Sequence, residues 1–186
     1  MDEIGAIAPN PLTYNQIKKL ADSIVILIDT REKQNKHILK FLDYENIKYQ
    51  SYTFKFADYS FMLPANKKLG IAEDVYFDNR MVIERKNSIE ELCGNIGTNR
   101  ERFKRELDKA GRSKFTLLIE NATYAQMVQG KYKSKVSIAS LIATLATFEA
   151  RYNIIVKFMP EPSFTGHYMY YTFKNWLREW LKGVEL

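Results

Sequence analysis

The sequence predicts an α/β domain built on a central mixed β-sheet flanked by helices. Three observations predict it. Runs of β-branched and apolar residues recur along the chain, at Ile24-Val25-Ile26-Leu27-Ile28, Met81-Val82-Ile83, Phe115-Thr116-Leu117-Leu118-Ile119 and Ile154-Ile155-Val156-Lys157-Phe158. They lack strict polar alternation, as strands buried on both faces do. Amphipathic stretches of helical period lie between them, and strands alternating with helices imply a sheet covered on both sides. Finally, 186 residues with 46% hydrophobic and 13% aromatic content suffice for one domain with a real core.

The elements follow in order. Pro9 and Pro11 precede a short helix expected at 14–20, and the first strand ends abruptly in charge at Asp29-Thr30-Arg31-Glu32. A helix is expected at 33–44, with Ile38, Phe41 and Leu42 on one face. Residues 47–63 read as strand with a turn at Ala57-Asp58, and 64–80 as a polar surface loop carrying Gly70, Asp74 and Asp78. The next strand, from Met81, runs into Glu84-Arg85-Lys86. Ser88-Ile89-Glu90-Glu91 fits a capping box, so a helix begins there, with Gly94 and Gly97 expected to break it. A very basic helix at 99–110 stops at Gly111. Beyond the 115–119 strand come a short helix at 124–128, a basic loop at 131–135 and a helix at 137–152 that Asn153 ends. Pro160 and Pro162 bound the last strand, and an aromatic-rich helix covers 165–182. The expected division is an N-terminal extension at 1–23, a main α/β domain at 24–160, and a C-terminal aromatic helix at 161–186.

Composition excludes several classes. Cys93 is the only cysteine, which rules out an internal disulfide and a cysteine-rich zinc site and suits a reducing compartment. No run of about 18 apolar residues offers a membrane span. The polar start, with Asp2 and Glu3, lacks the layout of a secretory signal. A soluble intracellular protein of cytoplasm or nucleoid is expected. Net charge is +6, from 28 Lys and Arg against 22 Asp and Glu, which favours a polyanionic partner modestly.

Chemistry concentrates at Glu84-Arg85-Lys86. Strand side chains alternate faces, so Glu84 and Lys86 point one way and Arg85 the other. A carboxylate beside an ammonium suits phosphodiester hydrolysis: the acid holds a divalent cation, and the lysine orients or activates water and offsets phosphorane charge. A second acid should come from a neighbouring strand; Asp58, at the turn in the preceding β segment, is the natural candidate, and Asp29, at the end of the first buried strand, is a third. Such hard oxygen ligands point to Mg²⁺ or Mn²⁺ rather than zinc. Taken alone, Glu-x-Lys is also what a solvated cross-strand ion pair looks like, and strand-end aspartates are common turn residues.

Together the motifs are more specific. Ile28-Asp29-Thr30-Arg31-Glu32, Ala57-Asp58-Tyr59 and Val82-Ile83-Glu84-Arg85-Lys86 resemble the nuclease domain of XPF-type structure-specific endonucleases, over about 24–158. That family's signature is Gly-Asp, a spacer, Glu-Arg-Lys and an acid four positions after the lysine. The resemblance implies a restriction-endonuclease-like core in which Asp29, Asp58 and Glu84 ligand the metal, Lys86 is catalytic, and Arg31, Glu32 and Arg85 support the site. It further implies that Arg102 faces the site from an arginine-rich helix, and that the protein dimerises through its C-terminal aromatic region. Three departures stand out: Ala57 replaces the glycine, conservatively if the backbone needs no positive φ there; Glu90 replaces the later aspartate; and Glu106 stands where glutamine is frequent.

The implied reaction is Mg²⁺- or Mn²⁺-dependent cleavage of DNA, with branched substrates (flaps, forks, Holliday junctions) in repair, recombination or replication. Past Phe158 there is neither a helix-hairpin-helix nor a helicase module, so DNA grip must come from this domain or from an accessory DNA-binding protein. The rival reading is a non-catalytic or partner-dependent DNA-binding subunit. Arg100, Arg102 and Arg105 are expected to contact phosphates, as are Lys131, Lys133 and Lys135 on a mobile loop. His37 and His167 read as structural or surface residues.

Overall fold

A computed structural model of the chain describes residues 11–152, 154–184 and 186. Pro9, the polar start and the helix stop assigned to Asn153 lie outside the described residues. The elements are α1 (Tyr14–Asp22), β1 (Val25–Asp29), α2 (Lys36–Tyr44), β2 (Tyr49–Tyr52), β3 (Tyr59–Leu63), β4 (Val75–Tyr76), β5 (Met81–Lys86), α3 (Ile89–Ile96), α4 (Arg100–Ala110), β6 (Lys114–Glu120), α5 (Tyr124–Val128), α6 (Ile138–Tyr152), β7 (Ile155–Met159) and α7 (Thr165–Leu181).

The strands form one mixed seven-stranded sheet in the order β2-β1-β3-β5-β6-β7, with β4 beside β3. β1 runs parallel to β2 and antiparallel to β3, which opposes β5; β5, β6 and β7 are parallel. The central strands β1, β3 and β5 are buried along their whole length, which is why their sequences carry no polar alternation.

Strand alternation divides the core. Ile26, Ile28, Phe61, Ile83 and Leu118 point to one side, under α1, α2 and α7 with their Ile17, Leu20, Ile38, Leu42, Phe173 and Trp176. Val82, Leu117 and Ile119 point to the other, under α3, α4 and α6 with Leu92, Phe103, Leu107, Leu141 and Phe148. Glu84 and Lys86 share the parity of Val82 and so face the α3–α4 layer; Arg85 shares that of Ile83 and faces α2 and α7.

Much of the aromatic load of α7 is packed against the sheet, while Tyr171 remains exposed. Phe173, Trp176 and Trp180 are buried, with Phe173 and Trp176 on Phe61 and Trp180 edge-on to Phe77. A Cβ at Gly166 would lie 2.9 Å from Phe41, so glycine lets α7 start close against α2. Ile17 and Leu20 of α1 belong to the same core, so the segments read as N- and C-terminal extensions meet over the sheet.

Two local expectations change. Gly94 lies inside α3, with open space around its Cα, and the helix runs to Ile96 with Gly97 as its cap. A helical glycine costs about 1 kcal/mol, too little to break a helix whose Leu92, Cys93 and Ile96 are buried. The helix expected from 33 begins at Lys36, because the Asp29 carboxylate draws the Arg31 amide into a turn that delays it. No helix of the described residues is long and apolar enough to cross a membrane.

Candidate active site

Asp58, Glu84 and Lys86 converge at the floor of an open cleft of about 430 Å³, whose wall includes Arg31, Glu32, Glu91, Arg102 and Glu106. β5 delivers Glu84 and Lys86, and the turn before β3 delivers Asp58. The Asp58 amide donates to the Ile83 carbonyl at 3.1 Å, and its Oδ2 accepts the Arg85 amide at 2.8 Å, fastening the acid to β5 from both ends.

That turn depends on Ala57, whose φ is +65°. The replacement of glycine by alanine is therefore not conformationally neutral: an L-residue in this region costs roughly 1–2 kcal/mol. The methyl group is buried beside Phe56 and Val82, which offsets part of that cost.

The electrostatics are those of crowded acids around one cation. Burial, then repulsion from Glu84, pushes the Asp58 carboxyl well above the usual carboxylate range. Burial also raises Glu84, against the pull of Lys86. Lys86 Nζ donates to Glu84 Oε1 at 2.5 Å, stands 3.9 Å from Glu91 Oε1 and lies over the Phe103 ring. Burial is the largest influence and works against its charge, but the attraction of Glu84, joined by Asp58 and Glu91, outweighs it and the net shift is upward, so Lys86 stays an ammonium at neutral pH.

Asp58 Oδ1 and Glu84 Oε2 accept from no donor among the described residues. Two carboxylate oxygens at the floor of an open cleft fit a hard divalent cation, which commonly takes one or two carboxylates and completes its shell with water and phosphate oxygens. No group of three or more His, Cys, Asp or Glu among the described residues could hold a metal on its own.

Asp29 stands apart from this pair. Its carboxylate accepts from the Arg31 amide at 2.7 Å, Arg31 Nε at 2.7 Å, Arg31 Nη2 at 3.0 Å and the Phe54 amide at 3.1 Å. Burial alone would raise its pKa, yet these bonds bring it below the usual value. Asp29 thus holds Arg31, whose side chain is 71% exposed, at the cleft wall.

The two acids of the capping sequence divide. Glu91 lines the cleft and also accepts the Asn87 amide at 2.8 Å. Glu90 accepts the Lys133 amide at 2.8 Å, its pKa lowered first by that bond, and does not line the cleft. Of the arginines on α4, Arg102 lines the cleft beside Glu106, 3.5 Å away, whereas Arg100 turns to Thr144 at 3.2 Å and Arg105 lies outside the wall. In the loop with Lys131, Lys133 and Lys135, the Lys133 amide donates to Glu90 and Tyr132 Oη donates to the Val136 carbonyl at 2.9 Å, and none of the three lysines lines the cleft. Asp74 and Asp78 bind the Ala65 amide and the Tyr52 hydroxyl and stay out of the cleft.

Beneath the floor, Arg85 joins a buried network. Its Nη1 donates to Glu120 at 2.6 Å and its Nη2 to Glu32 at 3.2 Å. Glu120, fully buried, also accepts Thr165 Oγ1 at 2.5 Å and contacts His37 Nε2 at 2.8 Å. Burial opposes the Arg85 charge, but Glu32 and Glu120 raise its pKa overall. His37 is thus structural, as expected. Glu120, Lys33 and Lys55 were missed by the motif reading. Glu120 carries the signal used for Asp29 and Glu84, an acid closing an apolar strand; the two lysines, on the cleft wall, carry no signal beyond charge.

A model of the family described as the ERCC4 domain matches residues 28–172. Among solved structures, XPF from Aeropyrum pernix is similar with a TM-score of 0.58 and 14% identity, covering 87% of this chain and 64% of that one. XPF from Aeropyrum pernix in complex with DNA is similar with a TM-score of 0.57 and 15% identity, covering 82% and 64%. The chain therefore spans less than two thirds of the length of those structures, and the likeness is one of fold. No curated protein matches it.

Proposed function

The chain belongs to the ERCC4 domain family, as its XPF-type motifs led one to expect, and on that premise we propose that it is a metal-dependent DNA endonuclease acting on branched DNA. The observation that carries this reading is the convergence of Asp58, Glu84 and Lys86 in one open cleft whose wall also carries Arg31, Lys33, Lys55 and Arg102. Flaps, forks or Holliday junctions, met in repair, recombination or replication, are the substrates proposed. A homodimer, an accessory DNA-binding protein and an intracellular location belong to the same reading.

Asp58 and Glu84 would hold Mg²⁺ or Mn²⁺, which supplies Lewis-acid activation of the phosphodiester and of the attacking water. Lys86, kept cationic by Glu84, donates from Nζ to a non-bridging phosphate oxygen and offsets the charge that grows there. The water oxygen forms a new P–O bond and releases a proton to solvent as the bridging P–O bond opposite it breaks, and the leaving oxygen takes up a proton from solvent. Arg31, steadied by Asp29, and Arg102 are placed to receive flanking phosphates. Arg85 acts from below: its bonds to Glu32 and Glu120 fix the strand on which Glu84 and Lys86 ride.

The test is cleavage of labelled flap, fork, four-way-junction and plain duplex DNA with Mg²⁺ or Mn²⁺, beside Glu84→Ala. Cutting confined to branched DNA and absent from the variant supports the reading. Cutting that survives in Glu84→Ala overturns the site, and binding without cutting by the unaltered protein overturns the enzyme.

A further inference from the structure

Away from the cleft, a second cavity of about 430 Å³ opens where α4 and α6 both end; Leu107 and Ser113 are among its walls, and Arg112, Arg151, Asp108 and Tyr152 stand around it. It lies at the end of the sheet where β6 begins, whereas the cleft lies where β5 ends in Lys86 and β6 runs on to Glu120. The seven residues of β6 put about 20 Å between these two ends.

Two features suit this cavity to an anion. Arg112 and Arg151 are both exposed, and neither has a carboxylate partner among the described residues, unlike Arg31, Arg85 and Arg102 in and under the cleft. Two guanidiniums without carboxylate partners stand at one opening, beside the single carboxylate of Asp108 and the carbonyl ends of α4 and α6, so the arginine heads are held at the rim and free to take a further anion. A stripe of cations also joins it to the cleft. Arg102, Arg105 and Lys109 recur at helical spacing on the exposed face of α4, opposite the buried Phe103, Leu107 and Ala110, and Arg112 follows just past the cap. From Arg102 to Arg112 the stripe covers about 15 Å at the rise of a helix. That is the reach of a few backbone phosphates.

We propose that the Arg112–Arg151 cavity is a second phosphate-binding site, which takes a backbone phosphate of the same DNA whose scissile bond lies in the cleft. The inference rests on the nuclease reading for the identity of its ligand. α4 is the track between the two sites: Arg102 meets the strand at the cleft, Arg105 and Lys109 carry it along the helix, and Arg112 with Arg151 hold it at the far end. Tyr152, half-buried at the rim, offers a ring edge to a sugar or base next to the held phosphate. Specificity for long or branched DNA then has a source inside the domain itself, since a short oligonucleotide engaged at the cleft does not reach the cavity.

The experiment is the salt dependence of binding to a labelled fork and to a labelled four-nucleotide strand, in EDTA so that nothing is cut. It compares the unaltered protein with Arg112→Ala/Arg151→Ala and Arg112→Lys/Arg151→Lys. All substitutions are at exposed positions, and thermal melting checks that the fold is kept. The expected result on the fork is a log K against log salt slope flatter by about 0.9 for the alanine pair, the one phosphate held at the cavity, with the lysine pair restoring it. On the four-nucleotide strand the variants should match the unaltered protein. An unchanged slope and affinity on the fork, with the unaltered protein binding it, overturns the second site while leaving the nuclease reading intact. Failure of the unaltered protein to bind either DNA overturns both.

Discussion

The Arg85 backbone amide donates to Asp58 Oδ2 at 2.8 Å, so the acid from one strand is fastened to the residue between the two functional side chains of the next. Asp58 is thereby held near Glu84 although their charges repel. The cost of that arrangement is measurable.

Asp58→Asn should abolish cleavage and, in metal-free buffer, raise Tm. Asparagine keeps an oxygen for the Arg85 amide and removes a buried charge. The sign follows from linkage: the folded-state pKa of Asp58 lies above the unfolded one, so between the two values the folded protein holds a proton that the unfolded chain has released. Stability from this group therefore falls as pH rises through that window, from about 4 upward. Melting curves across pH should show the Tm gap between variant and unaltered protein widening with pH and narrowing on addition of Mg²⁺. A gap that is absent or reversed would sink this account of the pair.

Glu120→Ala should destabilise the fold by about 3–5 kcal/mol, the usual cost of stripping a buried arginine of its partner. Thr165→Val should cost less, about 1.5–3 kcal/mol for one bond to a charged acceptor. Urea unfolding measures both. A Glu120→Ala protein as stable as the original would mean that Glu32 alone suffices for Arg85.

At position 57, glycine relieves the strain of a positive φ but loses a buried methyl group worth about 0.8 kcal/mol and adds about 0.4–1 kcal/mol of unfolded-chain freedom. Ala57→Gly should therefore shift stability by less than about 1 kcal/mol. Ala57→Val should cost about 2 kcal/mol or more, because a β-branched residue tolerates this backbone region poorly. Thermal denaturation of the two variants separates them, and a harmless valine would contradict the backbone assignment.

Glu91→Gln should slow cleavage roughly tenfold or more, because Lys86 loses one of the charges that hold it, while Glu90→Gln should leave the cleavage rate within about twofold. Steady-state rates on one fork substrate decide it. The reverse ranking would return the motif acid to Glu90.

The parts of the site legible in the sequence are those that local rules fix. Strand alternation put Glu84 and Lys86 on one face, the abrupt end of an apolar run marked Asp29, and the turn signal at Ala57-Asp58 marked Asp58. Which of those acids keeps its oxygens free was not legible, because Phe54 reaches Asp29 from a strand connection far along the chain. Arg100 and Arg102 look alike in sequence; the burial of Phe103 and Leu107 fixes the helix phase that turns one to α6 and the other to the cleft. Glu120 escaped because its importance lies in register: β6 runs parallel beside β5 with Ile119 opposite Lys86, which brings the next residue under Arg85. The requirement for positive φ at Ala57 is a property of the turn as a whole, and alanine advertises nothing.

The hydroxyl of Thr165, at the first residue of α7, rests on the same carboxylate that grips Arg85. The last helix is therefore a buttress as well as a cover. Whatever tugs on α7 or lifts it from the sheet, a bound partner or a fused domain, presses through Glu120 and Arg85 on the strand that bears Glu84 and Lys86. A remote load on the back of the molecule then becomes a change of posture at the blade.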